Sequence, residues 1–361
     1  MPRLLRVAGV CAVLLVSCAR PITRGASGPE HVDITWMSIT NMCYEIGPFG
    51  VVTDGYISRI PQDIFFGAAT GMAQTRVGQK PDVVAVSRVL NAIGGSSKVQ
   101  LLLTGHSHFD HSFDTAAWSR LTNAPIIGSR TTCYQAIAQR IPSSRCTIVN
   151  GRERYQLADG VTMWVVRFNH SGDPAKNPDQ HNPVELDSVP HPDASGGLHV
   201  GLQEDFPNGG GNRAYLFVVD GPSGRYSWFF NNSASAVDLA APIVLDGVNY
   251  GAPIENVKTA LRSAGLESVD LWIGSGSTEV MKLMQPVLRP RTFIPVHWDG
   301  LWNSFTAGVT TPYSDPATET FMREAGVQVL APLQYMDKWR LSRAGVEPVE
   351  NVAVKRALGF Q

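Results

Sequence analysis

The sequence contains few cysteines, no run of basic or acidic residues and no internal repeat. Five cysteines in 361 residues are too few for a disulfide-stapled scaffold. The formal charge is −1, so the composition does not indicate a nucleic-acid surface and we expect no nucleic-acid partner. The length, with 43% hydrophobic residues, suffices for one large domain or two small ones.

The first 17 residues have the pattern of a secretion signal. Two arginines precede an apolar stretch at 7–16, which is too short to span a bilayer as a permanent helix. The Leu-Val-Ser-Cys ending at Cys18 resembles a bacterial lipobox, which implies cleavage before Cys18 and lipid attachment to its thiol. The alternative is an ordinary cleaved signal. We expect a flexible tether at 18–30 and an exported chain anchored to a lipid bilayer of the cell envelope.

The remaining cysteines leave one question open. Cys43 lies in an apolar strand pattern and is predicted to be buried. Cys133 and Cys146 flank adjacent predicted elements and form either a disulfide, in an oxidising compartment, or two buried thiols.

Strand and helix patterns interleave, but the chain opens and centres on hairpins. Apolar strand patterns at 33–39 and 42–46 open it, and a hairpin at 154–168 lies near its centre. This order predicts an α+β fold with two mixed sheets stacked between helices. We expect one domain over 31–345 and a C-terminal tail at 346–361.

A long insertion interrupts the predicted domain at 171–212. It is rich in Pro, Gly, Asp, Asn and His and has no periodicity. We expect a surface loop that acts as a lid over a site. Its three histidines, His181, His191 and His199, are predicted to lie at the surface.

Three imidazoles and a carboxylate crowd into six positions directly after the apolar stretch 99–103. The run is Gly105-His106-Ser107-His108-Phe109-Asp110-His111. The alternative is a polar loop whose histidines face solvent, but only nine histidines occur in the chain. Imidazole nitrogen and carboxylate oxygen are ligands of zinc, so the run predicts a metal site.

Two further histidines follow apolar strand patterns. His170 comes directly after 161–168, and His297 ends the run Ile294-Pro295-Val296-His297. Either alone is more typical of a core or surface histidine. Their shared position at strand ends predicts that both join the metal site.

Together these motifs resemble the metallo-β-lactamase superfamily, in order and spacing, over about residues 32–335. The resemblance implies an αββα sandwich, with a first zinc held by His106, His108 and His170. It implies a second metal held by Asp110, His111 and His297. The residues around His297, and Thr53-Asp54-Gly55, are most similar to the branch that contains ascorbate-phosphate lactonase and related phosphoesterases.

One position departs from the family pattern. The family carries an aspartate that bridges both metals after the second strand of a hairpin, where this chain has Asn232. A carboxamide lacks the charge and bridges two cations poorly. We therefore expect one tightly held Zn²⁺ and a second, weak or exchangeable metal. Asp220 is a less favoured substitute because it lies at the far end of the hairpin.

The expected chemistry is hydrolysis of an ester, lactone or phosphoester-type bond in a small molecule. Three imidazoles leave a zinc position for water, whose pKa falls toward ~7. Asp110 is predicted to orient the resulting hydroxide and accept its proton, and His297 to ligate or donate a proton. Trp298 and Trp302 are predicted to contact substrate.

Two alternatives belong to other classes. A serine hydrolase needs Gly-x-Ser-x-Gly, and the run from Gly105 to Phe109 lacks the second glycine. A catalytically degenerate lipoprotein of the same fold, which binds metal or ligand only, is favoured by Asn232. Retention of the five histidines and Asp110 argues against it.

Overall fold

The computed structural model describes residues 28–66, 77–201 and 204–360. Cys18 and the predicted signal sequence lie outside the described residues. The strands are β1 (His31–Ser38), β2 (Asn41–Ile46), β3 (Phe49–Thr53), β4 (Leu101–Leu103), β5 (Ile126–Gly128), β6 (Cys146–Ile148), β7 (Arg154–Ala158), β8 (Val161–Phe168), β9 (Asn212–Gly221), β10 (Gly224–Asn231), β11 (Val244–Leu245), β12 (Val248–Asn249), β13 (Leu271–Gly274), β14 (Thr292–Pro295), β15 (Gln328–Val329), β16 (Asp337–Ser342) and β17 (Gly345–Val349). The helices are α1 (Gln62–Phe66), α2 (Val83–Ala92), α3 (Phe109–Ser112), α4 (Thr115–Thr122), α5 (Arg130–Ala138), α6 (Pro178–His181), α7 (Pro253–Ala264), α8 (Thr278–Leu288), α9 (Pro316–Glu324) and α10 (Val352–Leu358).

Two large mixed sheets form the framework. The first has eight strands in the order β17-β16-β1-β2-β3-β4-β5-β6, and the second has seven in the order β15-β14-β13-β10-β9-β8-β7. In each sheet an antiparallel part made of hairpins continues into a parallel part. The hairpins come from the segments in which the sequence alternates around short turns.

The two sheets face each other across one apolar layer. Side chains alternate along β9, so that Tyr215, Phe217 and Val219 face the first sheet while their neighbours face the other way. The Phe217 ring stacks on Trp228 of β10 at 4.5 Å and lies 5.6 Å from Tyr44 of β2. These rings join the sheets directly.

Helices cover the outer faces. Val257 of α7 and Met284 of α8 pack on the outer face of the second sheet, in the same cluster as Leu216. Val89 of α2 and Trp118 of α4 pack against the first sheet. The layers are therefore helix, sheet, sheet, helix, and the predicted αββα sandwich is confirmed.

The strand ends bring the predicted site residues to one edge. Thr53 of β3 pairs with Leu103 of β4, so Asp54 and the histidine run leave the first sheet side by side. In the second sheet Asn231 aligns with Gly274, and Gly274 aligns with Pro295, at the corresponding ends of parallel strands. Ligands distant in sequence thus meet because parallel strands end together.

Three parts of the predicted domain organisation need correction. Residues 346–360 are not a free tail, because β17 pairs with β16 and both Leu358 and Phe360 are buried in the core. Residues 28–30 are not a free tether either. The Gly28 amide donates to the Asp220 carbonyl, and the Tyr226 hydroxyl donates to the Pro29 carbonyl.

The insertion at 171–212 also differs from the expected lid. Its second half packs on the turn after β4 that carries the histidine run 106–111. There the Ser107 hydroxyl donates to the Pro207 carbonyl at 2.6 Å. A buried ion pair between Arg213 and Glu185, at 3.1 Å, fixes the first half of the insertion to β9. The insertion therefore packs against the turn on the side where the Ser107 side chain lies.

The cysteines resolve the open alternative. Cys133 and Cys146 are disulfide-bonded and join α5 to β6. Cys43 is buried as predicted, and burial raises the pKa of its thiol to about 12. No helix in the described ranges is both long and apolar enough to cross a bilayer.

Replacing Phe217 with alanine tests the inter-sheet layer. Phe217 is fully buried, so Phe217→Ala is expected to lower the free energy of unfolding by ~3–5 kcal/mol, measured by chemical denaturation. The control, Val244→Ala, removes an exposed side chain and should cost less than ~0.5 kcal/mol. Equal losses in both variants would contradict the described packing.

Candidate metal centre

Three histidine nitrogens converge at the end of β4. His106 Nε2 lies 3.1 Å from His108 Nδ1 and 3.0 Å from His170 Nε2. All three side chains are buried. His106 and His108 come from the turn after β4 and His170 from the end of β8, so the structure brings together the three predicted ligands of the first metal.

The other ring nitrogens show which atoms carry protons. Asn232 Nδ2 donates to Asp54 Oδ2 at 2.9 Å, which turns Asn232 Oδ1 toward His106 Nδ1 at 3.1 Å. His106 Nδ1 therefore donates to this oxygen. His170 Nδ1 donates to the Ser171 carbonyl at 2.8 Å. Both Nε2 atoms are then left as lone-pair acceptors that face each other.

The donor set of this arrangement fits a cation. Burial first, and then the neighbouring imidazoles, lower the pKa of His106 and His170 well below the usual value, so neither ring holds an extra proton. Two facing lone pairs repel unless a positive ion lies between them. Zinc binds imidazole at ~2.0–2.1 Å, which places tetrahedral ligand atoms about 3.3 Å apart. The residues present fit a divalent metal.

A second cluster adjoins the first. Asp110 Oδ2 lies 3.2 Å from both His111 Nε2 and His297 Nε2, and these two nitrogens are 3.2 Å apart. The His106 and His111 rings lie 4.0 Å apart. The three predicted ligands of the second metal are therefore together as well.

The second cluster carries charge. Asp110 is buried, which alone would raise the pKa of its carboxyl group, but His111 and His297 hold this pKa well below its usual range. Burial opposes a charge on His111, but Asp110 and Asp54 raise the pKa of its imidazole to about 10. A metal in this cluster would take the place of that proton.

Asp54 contacts the centre, although the sequence analysis did not place it in the site. It is the main omission. Its Oδ2 atom lies 3.0 Å from His111 Nδ1 and accepts from Thr40 Oγ1 at 2.6 Å, while Oδ1 accepts from the Gly105 amide at 2.9 Å. The carboxylate thereby orients His111 so that Nε2 faces Asp110. The available signal was Thr53-Asp54-Gly55 at the end of a strand.

Asn232 lies between the two clusters, where the bridging aspartate was expected. Its amide is held by His106 on one side and Asp54 on the other. A Cβ atom on Gly105 would lie 2.2–2.4 Å from this side chain, so the turn needs glycine there. Asp220, the other candidate, forms an exposed ion pair with Arg225 at the opposite end of the hairpin.

The backbone at His297 is strained. Its φ is 68°, a left-handed conformation that is uncommon for residues other than glycine. The His297 amide donates to the Ile39 carbonyl at 3.0 Å, and the Asp299 carboxylate accepts from the Ile39 amide. These bonds hold the turn after β14 against the turn after β1. The strain is thus maintained where the ligand must face the centre.

The prediction for His181 was wrong. This histidine is 4% exposed, and its Nε2 lies 2.7 Å from the Asp238 carboxylate. Its Nδ1 lies 3.2 Å from the Ser171 carbonyl, which also accepts from His170. His181 therefore supports the loop behind His170. His191 is exposed as predicted, and His199 is half-buried beside Asp205.

The two tryptophans predicted to contact substrate lie in different places. Trp298 stacks on Trp36 at 5.6 Å and lines a cavity together with His297. Trp302 stacks on Phe109 at 5.4 Å and lines a separate, smaller cavity. Trp298 is therefore placed beside the centre, and Trp302 packs behind the metal turn.

Comparisons with known proteins were made by sequence and by structure. No family model matches the sequence. A UPF0173 metal-dependent hydrolase from Pyrobaculum islandicum is 30% identical over 70 residues, which are 19% of this chain and 31% of that relative. The chain thus matches less than a third of the length of this curated relative.

Several solved structures are similar at low identity. A metallo hydrolase from Ignicoccus hospitalis is 12% identical with a TM-score of 0.47, covering 86% of this chain and 98% of that one. An isothiocyanate hydrolase from Delia radicum gut bacteria is 12% identical with a TM-score of 0.48, covering 85% and 98%. The metallo-β-lactamase fold protein YhfI from Bacillus subtilis is 9% identical with a TM-score of 0.43, covering 86% and 99%.

These similar structures include metallo-hydrolases and a metallo-β-lactamase fold protein. At these identities and TM-scores they say nothing about what this chain acts on. The argument for its chemistry therefore rests on the residues of its own centre.

Changing Asn232 to aspartate tests the bridging position. Asn232→Asp places a carboxylate between the two clusters, so bound metal is expected to rise toward two ions per chain, measured by elemental analysis. The new carboxylate also faces Asp54, so the metal-free variant should unfold more easily.

The matched control is Asn231→Asp, which makes the same change one residue away. The Asn231 amide faces Ser275 and Trp272 instead of the clusters. This variant should lose stability without gaining metal. Unchanged metal content in Asn232→Asp would mean that residue 232 does not face both sites.

Proposed function

We propose that this chain is a zinc-dependent hydrolase that cleaves an ester, lactone or phosphoester-type bond in a small molecule. The observation that carries the proposal is the approach of two unprotonated nitrogens, His106 Nε2 and His170 Nε2, to 3.0 Å. Imidazole donors favour zinc over calcium or magnesium. When bound, a divalent zinc ion supplies Lewis acidity toward water and toward a substrate oxygen.

The chain's own residues orient the water molecule, transfer protons and hold the histidine rings. Asp110 stays ionised beside His111 and His297, so it can orient a water molecule and accept its proton. His297 is 23% exposed at its side chain, whereas the other four histidines are buried. It is therefore the histidine placed to pass a proton to a leaving group. Asp54 and Asn232 hold the rings in position.

We propose that the two metal positions differ in strength. The first position has three neutral imidazole nitrogens and does not depend on a bridging carboxylate. The second position includes Asp110 and His111, and the carboxamide of Asn232 supplies no bridging negative charge to it. One tightly held zinc and one weak or exchangeable metal are the result.

A chelator test distinguishes hydrolysis from the other functions. The mature protein is expected to hydrolyse 4-nitrophenyl esters, bis(4-nitrophenyl) phosphate or a lactone, to lose turnover with chelator and to regain it with Zn²⁺. Asp110→Asn should lower kcat/KM by ~10²–10⁴-fold because the proton acceptor is lost. The control, His191→Ala, changes an exposed histidine away from the centre and should remain active.

Each other outcome identifies a different function. Turnover that survives complete metal removal would contradict the proposal and favour a metal-independent hydrolase. Bound zinc without turnover on any of these substrates would favour the degenerate metal- or ligand-binding protein.

We also propose that the chain is exported and anchored to a membrane through a lipid on Cys18. The lipobox-like sequence supports this, and so does the disulfide between Cys133 and Cys146, since disulfides persist in oxidising compartments. The anchor would leave the metal centre outside the cytoplasm.

Substitution of the acceptor cysteine tests the anchor. In a bacterial expression host, Cys18→Ser is expected to abolish incorporation of labelled fatty acid and to reduce the membrane-bound fraction, because the acceptor thiol is lost. The control, Cys11→Ala, changes the other cysteine of the signal and should keep the lipid. A native chain cleaved without any lipid would show an ordinary secretion signal instead.

A further inference from the structure

A cavity of about 650 Å³ opens beside the metal centre. His297 and Ser171, the residue after the ligand His170, both line it. His297 is also the most exposed of the five histidines, so this is where the centre meets solvent. A cavity of this size accommodates a small-molecule substrate whose reacting bond lies at the metals.

The walls of this cavity are partly aromatic. Trp298 and Tyr313 form one side, with their rings 5.6 Å apart and inclined at 63° to each other. Trp298 is held in place by Trp36 and by a hydrogen bond from its indole N–H to the Pro295 carbonyl. Met281 and Phe293 add apolar surface. These side chains favour an apolar or aromatic substrate group.

The remaining polar groups on the walls are mostly uncharged. Hydroxyl groups come from Ser275, Thr311 and Ser314. Among the residues that the structure describes, Asp315 is the acidic lining residue, and no described lysine or arginine lines the cavity. An anionic substrate group at this wall, away from the metal positions, would therefore lie near a carboxylate without a lysine or arginine to pair with.

The carboxylate of Glu319 also affects the wall that Tyr313 forms. Burial, and then Asp315 and Glu319, raise the pKa of the Tyr313 hydroxyl above its usual value. Both acidic residues therefore lie close enough to disfavour negative charge at this ring.

We infer that the part of the substrate beyond the reacting bond is uncharged and apolar or aromatic, as in a neutral ester or lactone. This inference rests on the proposed hydrolytic function. In hydrolysis of such an ester the acyl C–O bond breaks, the oxygen of water bonds to the acyl carbon, and a proton passes to the leaving oxygen.

A matched pair of esters tests the inference on the zinc-loaded protein. 4-Nitrophenyl hexanoate and mono-4-nitrophenyl adipate share the leaving group and the reacting bond and differ by a terminal carboxylate. After subtraction of the spontaneous rate, kcat/KM is expected to favour the neutral ester by roughly tenfold, as for one unit charge about 10 Å from another at an effective permittivity near 20. Equal values, or a preference for the adipate, would overturn the inference.

Asp315→Asn assigns the effect to the cavity wall. Asp315 caps α9 by accepting from the Thr318 amide at 3.0 Å, and asparagine is an equally good cap, so the variant should fold. Because the tenfold estimate counts one charge pair and Glu319 remains, removing the lining carboxylate should reduce the preference to roughly threefold or less. The control, Asp246→Asn, removes an exposed carboxylate that does not line the cavity and should leave the preference unchanged. The same ratio in Asp315→Asn as in the native chain would contradict the assignment.

The outcomes separate this inference from the proposed function. If the zinc-loaded protein hydrolyses neither ester, the ester branch of the proposed function fails, and the charge preference is then measured by binding. Tryptophan fluorescence should show tighter binding of neutral 4-nitroacetophenone than of anionic 4-nitrobenzenesulfonate. Equal affinities would overturn the inference in that case too.

Discussion

The structure depends on one unfavourable contact, the approach of His106 Nε2 to His170 Nε2. Neither nitrogen holds a proton, because Asn232 and Ser171 accept the protons of the opposite ring nitrogens. The hydrogen bonds that fix these rings thus force two lone pairs together in a buried place. A cation between them would relieve this repulsion, so the cluster is able to bind a metal ion.

The amide of Asn232 and the carboxylate of Asp54 determine where negative charge lies relative to the two clusters. A bridging aspartate would place a carboxylate between the clusters, whereas here an amide occupies that place and the carboxylate of Asp54 lies behind it. Asp54 then acts on His111 through Nδ1, away from the ligand atom. The charge therefore orients a ring from behind and does not neutralise two metals from between them. The proposed difference between a strong first metal position and a weaker second one rests on this placement of charge.

The ligands and the layers could be predicted because both leave local patterns. His106 and His108 alternate in one turn, and His170 and His297 follow apolar strands, so strand ends alone placed them together. His181 was misplaced because a histidine in a Pro- and Gly-rich segment gives no periodic signal of burial. The pairing of β17 with β16 was missed for a similar reason, since both strands are short and half polar. Contacts made only in three dimensions, such as Thr40 with Asp54, leave no pattern at all.

The distances between the candidate ligand atoms are set by the packing of the whole sandwich. The first sheet supplies the histidine run and Asp54, while the second supplies His170, Asn232 and His297. Each cluster therefore includes residues from both sheets, and the spacing of the sheets fixes the spacing of the ligands. Phe217, Trp228 and Tyr44 set that spacing from within. Because ligand atoms tolerate shifts of only a few tenths of an ångström, the close-packed layer between the sheets is as much a condition of the centre as the histidines are.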